Sequence, residues 1–422
     1  MIGLDGLLER LFNAPPPDEI RLKARLLALD TLGCMLAGFE VPKVAELRSL
    51  TGDEAACFAL AACWHEACEG LARAHGRPGV PVIAACMSLG QRRDAMLRTF
   101  VDALIVGYEV GGRMGEVLRI RPGMHVDASW PALGVAAAVV RLMDGSAAAA
   151  RAAIEIAGSQ LPFSLYLPVE QGADARNTYL GHAAWLGTHA AQAALSGCDA
   201  PRGAVERFAE LALGLKDIVV APARDYVIRE AYLKPFAAVR HVHYGVEAAL
   251  RLRPQIADTR NIGAIALSIY PEALTYCGNR APHTPLQAQF SLSFGVAAAL
   301  RFGRLDAEQY SPASFNDAEL RRLEALVTVT ADPSIKGRAA SLRIGHHGRE
   351  LQASVNAVKG DPALPMSEEE CRAKFVRHAA PRLARPAAEA LADAMLRGPE
   401  TQPLKSILQE ALRPAGRSHP LR

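Results

Sequence analysis

The chain has 422 residues, more than one hydrophobic core usually serves, so two domains are expected. Half of the residues are hydrophobic and 22% are charged, a composition typical of a globular protein. The formal net charge of +3 comes without a block of like charge, so the bulk electrostatics argue against nucleic-acid binding.

The N-terminus and the apolar stretches predict a protein with neither a leader nor a membrane span. Asp5, Glu9 and Arg10 interrupt the first apolar pattern, which is typical of neither a signal peptide nor a transit peptide. The longest stretch without Asp, Glu, Lys or Arg is 177–198, and its histidines and small residues favour a buried helix over a membrane-spanning one. We therefore expect a cytoplasmic protein whose eight cysteines are reduced and mostly buried.

The part of the chain before Pro254 predicts one helix after another, with Pro and Asp as start signals and Gly as a stop signal. Gly107, Gly111 and Gly115 repeat every four residues within one of these patterns. Because charged residues share that segment, the glycines predict closely packed helices and not membrane dimerisation. The helical patterns cover 18–38, 92–119, 130–142, 147–158, 179–196, 204–213 and 244–252.

The character of the sequence changes after Pro254, where strand patterns appear among the helices. A hairpin is predicted around His346-His347-Gly348, and the last helical pattern, 387–412, is expected to return to the first domain. The tail at 413–422 is rich in Pro, Gly and Arg and is expected to fray. The predicted strands are 262–269, 327–330, 340–344 and 350–355, and the predicted helices are 287–302, 317–326 and 366–378.

A lysine, an arginine and two histidines lie within ten residues at 234–243, just before a helical pattern and beside Pro235, which can open a helix. Cations at a helix N-terminus suit an anionic ligand, and histidine can carry a proton near neutral pH. The pattern predicts a site that holds a carboxylate and moves a proton. The alternative is a solvated basic turn that caps a structural helix.

Several familiar catalytic motifs are absent from the sequence. It contains no GxGxxG after a strand, no GxxxxGK[ST], no GxSxG and no HExxH. Cys63 and Cys68, with His65 between them, match no standard zinc spacing, and no second ligand pair follows. We therefore expect no metal site, and nucleotide-driven, serine-hydrolase and zincin chemistry have no support.

Five segments, in order along nearly the whole chain, are similar to motifs of one family. They are LDTLGC with LAG at 29–38, GYEV at 107–110, GMH with SWPALG at 123–134, KPFAAVRHVH at 234–243 and QFSL at 289–292. They resemble the DTLGCxLAG, GYEV, GFHxTGTxGALG, KPYPxCRHxH and AxFSLxY motifs of the MmgE/PrpD family. That family includes 2-methylcitrate dehydratase, cis-aconitate decarboxylase and iminodisuccinate epimerase.

The resemblance implies a mainly α fold, with a large all-helical domain and a smaller α+β lid domain around a cleft that holds the site. The boundaries expected from the sequence are 1–253 with 387–422 for the helical domain and 254–386 for the lid. The resemblance also implies a homodimer and cofactor-free chemistry on small di- or tricarboxylates. Membrane and nucleic-acid partners are not expected.

The same resemblance singles out several site residues. His125 matches a family catalytic histidine, and its alternative role is to cap the following helix. Lys234 matches a family active-site lysine that stabilises carboxylate or enolate charge, and its alternative is a surface lysine. His243 shares a helix face with Arg240 at spacing i, i+3, whereas His241 points elsewhere if the helix has begun. His243 is therefore the stronger candidate.

Two further positions depart from the family pattern or match it loosely. Arg176 stands where a KxLHxG pattern has lysine, and Tyr179 stands where it has histidine. Arginine can grip a carboxylate with two hydrogen bonds, but it stays charged and cannot carry a proton. Tyr276 falls within a residue or two of a family tyrosine, with a core tyrosine as the alternative.

The largest departure lies near residue 66, where many relatives carry a DFDD segment and then a histidine in an HPG turn. Glu66 and Glu69 are candidates for the missing acids and would share a helix face at spacing i, i+3. A solvated acidic face is the alternative. Either His75 or Arg77 takes the place of the turn histidine.

These residues suggest acid–base chemistry next to a carboxylate, and a hydro-lyase is the expected enzyme. His125 or His243 would remove the proton, and His75 or Tyr276 would protonate the leaving hydroxyl. The same parts permit decarboxylation or epimerisation, and a non-catalytic carboxylate-binding relative is a further alternative. The residues expected to bind carboxylates are Arg176, Arg240 and Lys234, with His241, Arg77, Glu66 and Glu69 as further contacts.

Overall fold

The computed structural model describes residues 3–221 and 225–413. Helices make up 59% of the structure, with a small mixed sheet, so the prediction of a mainly α protein is confirmed. No helix within the described residues is long and apolar enough to span a membrane. The predicted tail lies outside the described residues beyond residue 413. The division into two domains stays a prediction.

The described part of the chain before residue 253 is built almost entirely of helices. Two short strands, β1 (Gly70–Leu71) and β2 (Ala231–Tyr232), pair antiparallel within it. The helices are α1 (Leu4–Asn13), α2 (Asp18–Phe39), α3 (Pro42–Leu50), α4 (Glu54–Cys63), α5 (Gly79–Arg92), α6 (Leu97–Val117), α7 (Pro131–Leu142), α8 (Ala147–Gly158), α9 (Leu167–Gln171), α10 (Tyr179–Leu195), α11 (Ala204–Phe208) and α12 (His243–Leu252).

The predicted helices of this half are present, with one clear error of boundary. The pattern at 92–119 joined two elements, because Arg92 ends α5 and a new helix begins only at Leu97. The apolar periodicity did not predict α1, α3 or α4, and it did not predict most of α5. The pattern at 204–213 is helical throughout, but its second half winds more widely than an α-helix.

The glycines of α6 bring it against α7, as predicted. A Cβ atom added at Gly107 would lie 2.8 Å from the carbonyl oxygen of Gly134, and one at Gly134 would lie 2.6 Å from the carbonyl oxygen of Gly107. Real Cβ atoms do not approach backbone so closely, so these two positions require glycine. The backbones of α6 and α7 are therefore in direct contact, and this contact fixes the position of one helix relative to the other.

The second half contains a four-stranded sheet in the order β4-β3-β5-β6. Strands β3 and β4 run parallel, and the other neighbouring pairs run antiparallel. The predicted hairpin is confirmed, with the turn at His347 and Gly348, both at positive φ. The strands are β3 (Ile262–Ile269), β4 (Val327–Ala331), β5 (Ala340–His346) and β6 (Arg349–Val355).

Helices surround this sheet and then lead back to the first half. The helix predicted at 287–302 is interrupted at Phe290, because the Ser291 side chain accepts a hydrogen bond from Phe294 N–H and starts a new helix. The helices are α13 (Pro271–Cys277), α14 (Pro285–Gln289), α15 (Leu292–Phe302), α16 (Pro312–Phe315), α17 (Ala318–Leu326), α18 (Glu368–Ala379), α19 (Arg385–Arg397) and α20 (Leu404–Leu408).

The C-terminal helices pack on the N-terminal ones. Helices α18 and α19 contact α2, and α20 contacts α5. The amino group of Lys374 on α18 donates to Asp30 Oδ1 on α2 at 2.5 Å and to the carbonyl oxygen of Ala67 at 2.7 Å. The chain therefore rejoins the helical layer at α18, before residue 387, and Lys374 holds the loop that precedes α5.

Candidate active site

A cavity of about 150 Å³ lies between residues of the helical half and residues of the sheet-containing half. Nine of the eleven site residues expected from the sequence line it, and His243 and Glu69 do not. Apolar walls are contributed by Leu71, Ile120, Met124 and Val126. The nine are Glu66, His75, Arg77, His125, Arg176, Lys234, Arg240, His241 and Tyr276.

Five buried charged residues form one connected group on the cavity wall, here called the ionic cage: Glu66, Arg77, Asp127, Arg176 and Lys234. Glu66 Oε1 accepts from Lys234 Nζ at 2.6 Å, and its Oε2 contacts Arg77 at 2.8 Å and Arg176 at 2.6 Å. Asp127 pairs with Arg77 and lies 3.6 Å from Arg176. With three cations and two carboxylates, the cage carries one uncompensated positive charge.

The cage controls the ionisation of Glu66. Burial alone raises the pKa of this carboxyl, but the charges of Arg176, Arg77 and Lys234 outweigh burial and hold the pKa well below its ordinary value. Glu66 is therefore an anion at neutral pH, and it pairs with three cations.

The loop after α4 explains how Glu66 reaches the cage and corrects one expectation. Helix α4 ends at Cys63, and Glu66 has a φ of 54°, which is left-handed backbone. Glu66 and Glu69 therefore do not share a helix face. Glu69 is buried away from the cavity, where its Oε1 accepts from the backbone N–H groups of Gly79 and Val80 at the start of α5.

Glu69 thus caps a helix from a buried position, and its ionisation should make the stability of the protein depend on pH. Burial raises its pKa to about 7, although hydrogen bonds from Tyr108 and the α5 backbone oppose the rise. Because the pKa is raised, the contribution to stability is complete below pH 4.5 and is lost as the pH rises through 7. Between pH 4.5 and 8, the free energy of unfolding of wild type should fall about 3 kcal/mol more than that of Glu69→Gln.

Urea unfolding across this pH range measures the difference. The matched control is Glu369→Gln, an exposed glutamate on α18, whose pH dependence should follow wild type. Parallel profiles for wild type and Glu69→Gln would show that the buried carboxyl titrates normally.

The segment after Lys234 differs from the sequence-based expectation. Pro235 opens no helix, because residues 234–239 form an irregular loop, Arg240–Val242 form a single 3₁₀ turn, and α12 starts at His243. Lys234 therefore lies well outside the helix N-terminus, and Glu66, not the helix dipole, is its partner.

The structure reverses the expected positions of the two histidines in this segment. The guanidinium of Arg240 donates to His243 Nδ1 at 3.1 Å, and His243 Nε2 donates to the Ala238 carbonyl at 2.9 Å. Both ring nitrogens of His243 are occupied, and burial lowers its pKa well below the ordinary value. His243 is fully buried and contacts Arg240, whereas His241 lines the cavity.

Arg240 itself is neutralised before any ligand binds. Its guanidinium pairs with Asp361 and lies 5.0 Å from the ring centre of Tyr232 and 5.4 Å from that of Tyr244. A substrate carboxylate, expected from the sequence to bind Arg240, would therefore have to compete with the carboxylate of Asp361.

Two imidazoles that burial keeps neutral, His125 and His241, line the cavity. Burial lowers the pKa of His125 to about 4, an effect that the Asp127 carboxylate partly offsets. Burial, assisted by the charge of Arg338, lowers the pKa of His241 to about 3. His125 Nδ1 accepts from Asp127 N–H at 3.2 Å, and His241 Nδ1 lies 2.6 Å from Tyr270 Oη.

A row of aromatic rings connects these imidazoles. His125 stacks on Tyr166 at 5.9 Å, Tyr166 meets Tyr276 edge-on at 5.6 Å, and Tyr276 stacks on His241 at 5.8 Å. These are ordinary separations for interacting rings. The row fixes the orientation of both imidazoles, and Tyr276 belongs to the wall and not to the core.

Two models of one protein family match most of the chain. The MmgE/PrpD N-terminal domain matches residues 53–215, and the MmgE/PrpD C-terminal domain matches residues 236–397. The chain belongs to the MmgE/PrpD family. Members of this family are typically hydro-lyases or related enzymes. No curated protein compared with the chain matches it.

In this MmgE/PrpD chain, the cavity draws on both matched segments. Glu66, Arg77, Asp127 and Arg176 of the cage fall in the N-terminal match, and Lys234 lies just before the C-terminal one. His241, Glu272, Tyr276 and Arg338 fall in the C-terminal match. The site is therefore complete only when both MmgE/PrpD segments are folded together.

His75 and Arg77, the two candidates for the turn histidine, take different places. Arg77 is buried in the ionic cage, whereas His75 lies at the cavity rim with about half of its side chain exposed. Its Nδ1 is 3.8 Å from Glu272 Oε1 on α13. The rim contact thus links the two halves of the chain across the cavity.

The sequence did not predict several other lining residues, and four of them matter here: Asp127, Tyr166, Glu272 and Arg338. Asp127 had a local signal, because an acid two residues after a candidate histidine can orient or pair with it. The other three had none, since they reach the cavity only through the packing of distant segments.

Seven of the eight cysteines are buried free thiols, as expected, and Cys198 is exposed. Cys63 lies beside the cage, where its Sγ is 3.3 Å from Arg176 Nη1. Among the residues that the structure describes, no group of three or more His, Cys, Asp or Glu side chains is arranged to hold a metal ion.

Proposed function

We propose that this protein is a hydro-lyase that binds a small di- or tricarboxylate and removes a proton next to one carboxylate. The observation that carries the proposal is a buried cage with one more cation than carboxylates beside two imidazoles that burial keeps neutral. An anion site next to groups able to move a proton is what such chemistry needs.

The cage is proposed to hold the carboxylate next to the reacting carbon. Arg176 lines the cavity, and its buried Nε has no hydrogen-bond partner among the described residues, so this donor is available to a ligand. Since Glu66 already fixes the cations, little reorganisation is needed when negative charge develops on the substrate as an enolate. Arg176 stays charged and therefore binds without transferring a proton.

The hydrogen bonds of the imidazoles support distinct roles. Because His125 Nδ1 accepts from Asp127 N–H, the neutral ring carries its proton on Nε2, which can donate a hydrogen bond to a ligand. This suits stabilisation of the enolate oxygen. His241 can donate its Nδ1–H to Tyr270 Oη, which leaves Nε2 free to accept the proton from carbon. We therefore assign proton removal to His241, in place of His125 or His243.

Lys234 is proposed to protonate the departing hydroxyl. An ammonium group has three protons, and two of them are donated to the carbonyl oxygen and to Oε1 of Glu66, at 3.0 and 2.6 Å. The third is available on the cavity side. Breaking the carbon–oxygen bond then releases water and leaves an unsaturated acid.

The same groups support two related reactions as alternatives. Loss of carbon dioxide would follow if the cage oriented a carboxylate for cleavage, and epimerisation would follow if the proton returned to the opposite face of the carbon. A carboxylate-binding protein without turnover is the alternative from another class.

Proton NMR in D₂O with a panel of small acids tests the proposal. The panel contains methylcitrate, citrate, cis-aconitate and the isomers of malate and tartrate. Deuterium appearing next to a carboxylate is the expected result, and the product separates dehydration, decarboxylation and epimerisation. Saturable binding without exchange in any acid would instead support the non-catalytic alternative.

A further inference from the structure

Arg338 is a cavity-lining cation that is not used by the cage. It lies in the segment between β4 and β5, directly after Gly337, which has a φ of 77°. Within residues 3–221 and 225–413, no carboxylate oxygen is within 4.0 Å of its guanidinium. The other lining cations all have such partners: Arg77, Arg176 and Lys234 have Glu66, and Arg240 has Asp361.

The surroundings of Arg338 place it in the outer part of the cavity. Its charge contributes to the lowered pKa values of both His75 and His241, so it is close to these two imidazoles. Glu272 contributes to the electrostatic field at Arg338, but its carboxylate lies closer to the imidazole of the rim residue His75, at 3.8 Å. Arg338 is half-buried, so a salt bridge formed there is screened less than one on the open surface.

The cavity thus has two cationic regions with different properties. The inner one is the fully buried cage, in which Glu66 and Asp127 already engage every cation. The outer one is the guanidinium of Arg338, whose planar donors match a carboxylate with two parallel hydrogen bonds. Apolar side chains, among them Ile120 and Met124, line the same cavity and suit the carbon chain of a ligand.

We propose that Arg338 binds a second carboxylate of the substrate, remote from the reacting carbon, and so selects di- and tricarboxylates over monocarboxylates. This assignment rests on the proposed function, because it places the reacting end of the substrate in the cage. Arg338 is then a specificity-determining residue. Removing its guanidinium weakens the binding of acids that carry a remote carboxylate and leaves the binding of monoacids unchanged.

Direct binding measurements test the assignment without requiring turnover. The dissociation constants of tricarballylate, succinate and butyrate are measured by isothermal titration calorimetry with wild type, Arg338→Met and Arg338→Lys. For Arg338→Met we expect about 10- to 100-fold weaker binding of tricarballylate and succinate, the range for a lost charged hydrogen bond. Butyrate should bind equally well to both proteins. Arg338→Lys should fall between them, since it keeps the charge without the paired donors.

The matched control is Lys336→Met, which removes an exposed cation from the same segment and should leave all three dissociation constants unchanged. Unchanged binding of succinate and tricarballylate to Arg338→Met would overturn the assignment and leave the proposed function standing. An equal loss for butyrate would overturn it as well, because Arg338 would then support the whole cavity. If wild type bound none of the three acids, the proposed function itself would fail.

Discussion

Glu66→Gln is expected to lower the free energy of unfolding by about 3–5 kcal/mol at pH 7. The substitution keeps the size of the side chain and the left-handed backbone, so the change isolates the carboxylate charge. Three buried cations would then face a neutral amide and the remaining Asp127, and burial of unpaired charge is costly. Urea unfolding followed by circular dichroism provides the measurement.

The pH dependence sharpens this expectation. Because the pKa of Glu66 is depressed in the folded protein, its stabilisation is present above pH 4.5 and is lost as the pH falls further. The difference in the free energy of unfolding between wild type and Glu66→Gln should therefore become smaller at acidic pH. Glu389→Gln is the control, because it breaks an exposed pair with Arg385 at 2.8 Å and should cost less than 1 kcal/mol. An equally small effect at Glu66 would mean that the cage is hydrated and weak.

His241→Asn is expected to slow both deuterium exchange next to the carboxylate and loss of water by about 10²- to 10⁴-fold, because it removes the proposed base. Lys234→Met should instead retain exchange while losing dehydration, since the carbanion still forms but the hydroxyl leaves without a proton. Both rates come from one proton NMR time course in D₂O.

The surface variant His189→Asn controls for the loss of an imidazole, because His189 is exposed on α10 beside Trp185. Circular dichroism and chemical unfolding of each variant separate lost chemistry from lost structure. Should His241→Asn exchange deuterium at the wild-type rate, His241 would not be the base. Should Lys234→Met lose both reactions together, the hydroxyl would not be the group that Lys234 protonates.

Much of the fold could be predicted from local patterns, because a strongly periodic segment buries one face regardless of its partner. The strand at 262–269 and the helix at 147–158 agree with the structure at both ends. Helices α3, α4 and α5 were missed because they are buried on most sides or short, so their apolar residues leave no clear stripe.

The composition of the site was more predictable than its geometry. The sequence identified most of the lining residues with charged or polar side chains, but the position of each depended on where a helix starts. An assumed α-helical spacing between Arg240 and His243 ranked His243 above His241, whereas 240–242 form a 3₁₀ turn and α12 starts at His243. Likewise, nothing local indicates that the chain leaves its helix at Cys63 and turns Glu66 through a positive φ, because the stabilising partner, Lys234, is distant in sequence.

The contact of Lys374 with Asp30 and with the Ala67 carbonyl has a consequence for how the protein is made. Lys374 lies 307 residues after Ala67, the residue beside Glu66, and 344 residues after Asp30. Contacts so remote in sequence form late in folding, since a long loop must close first. During synthesis on the ribosome, the N-terminal helices emerge long before α18. The contact that holds the loop beside the cage therefore forms only after α18 has been synthesised.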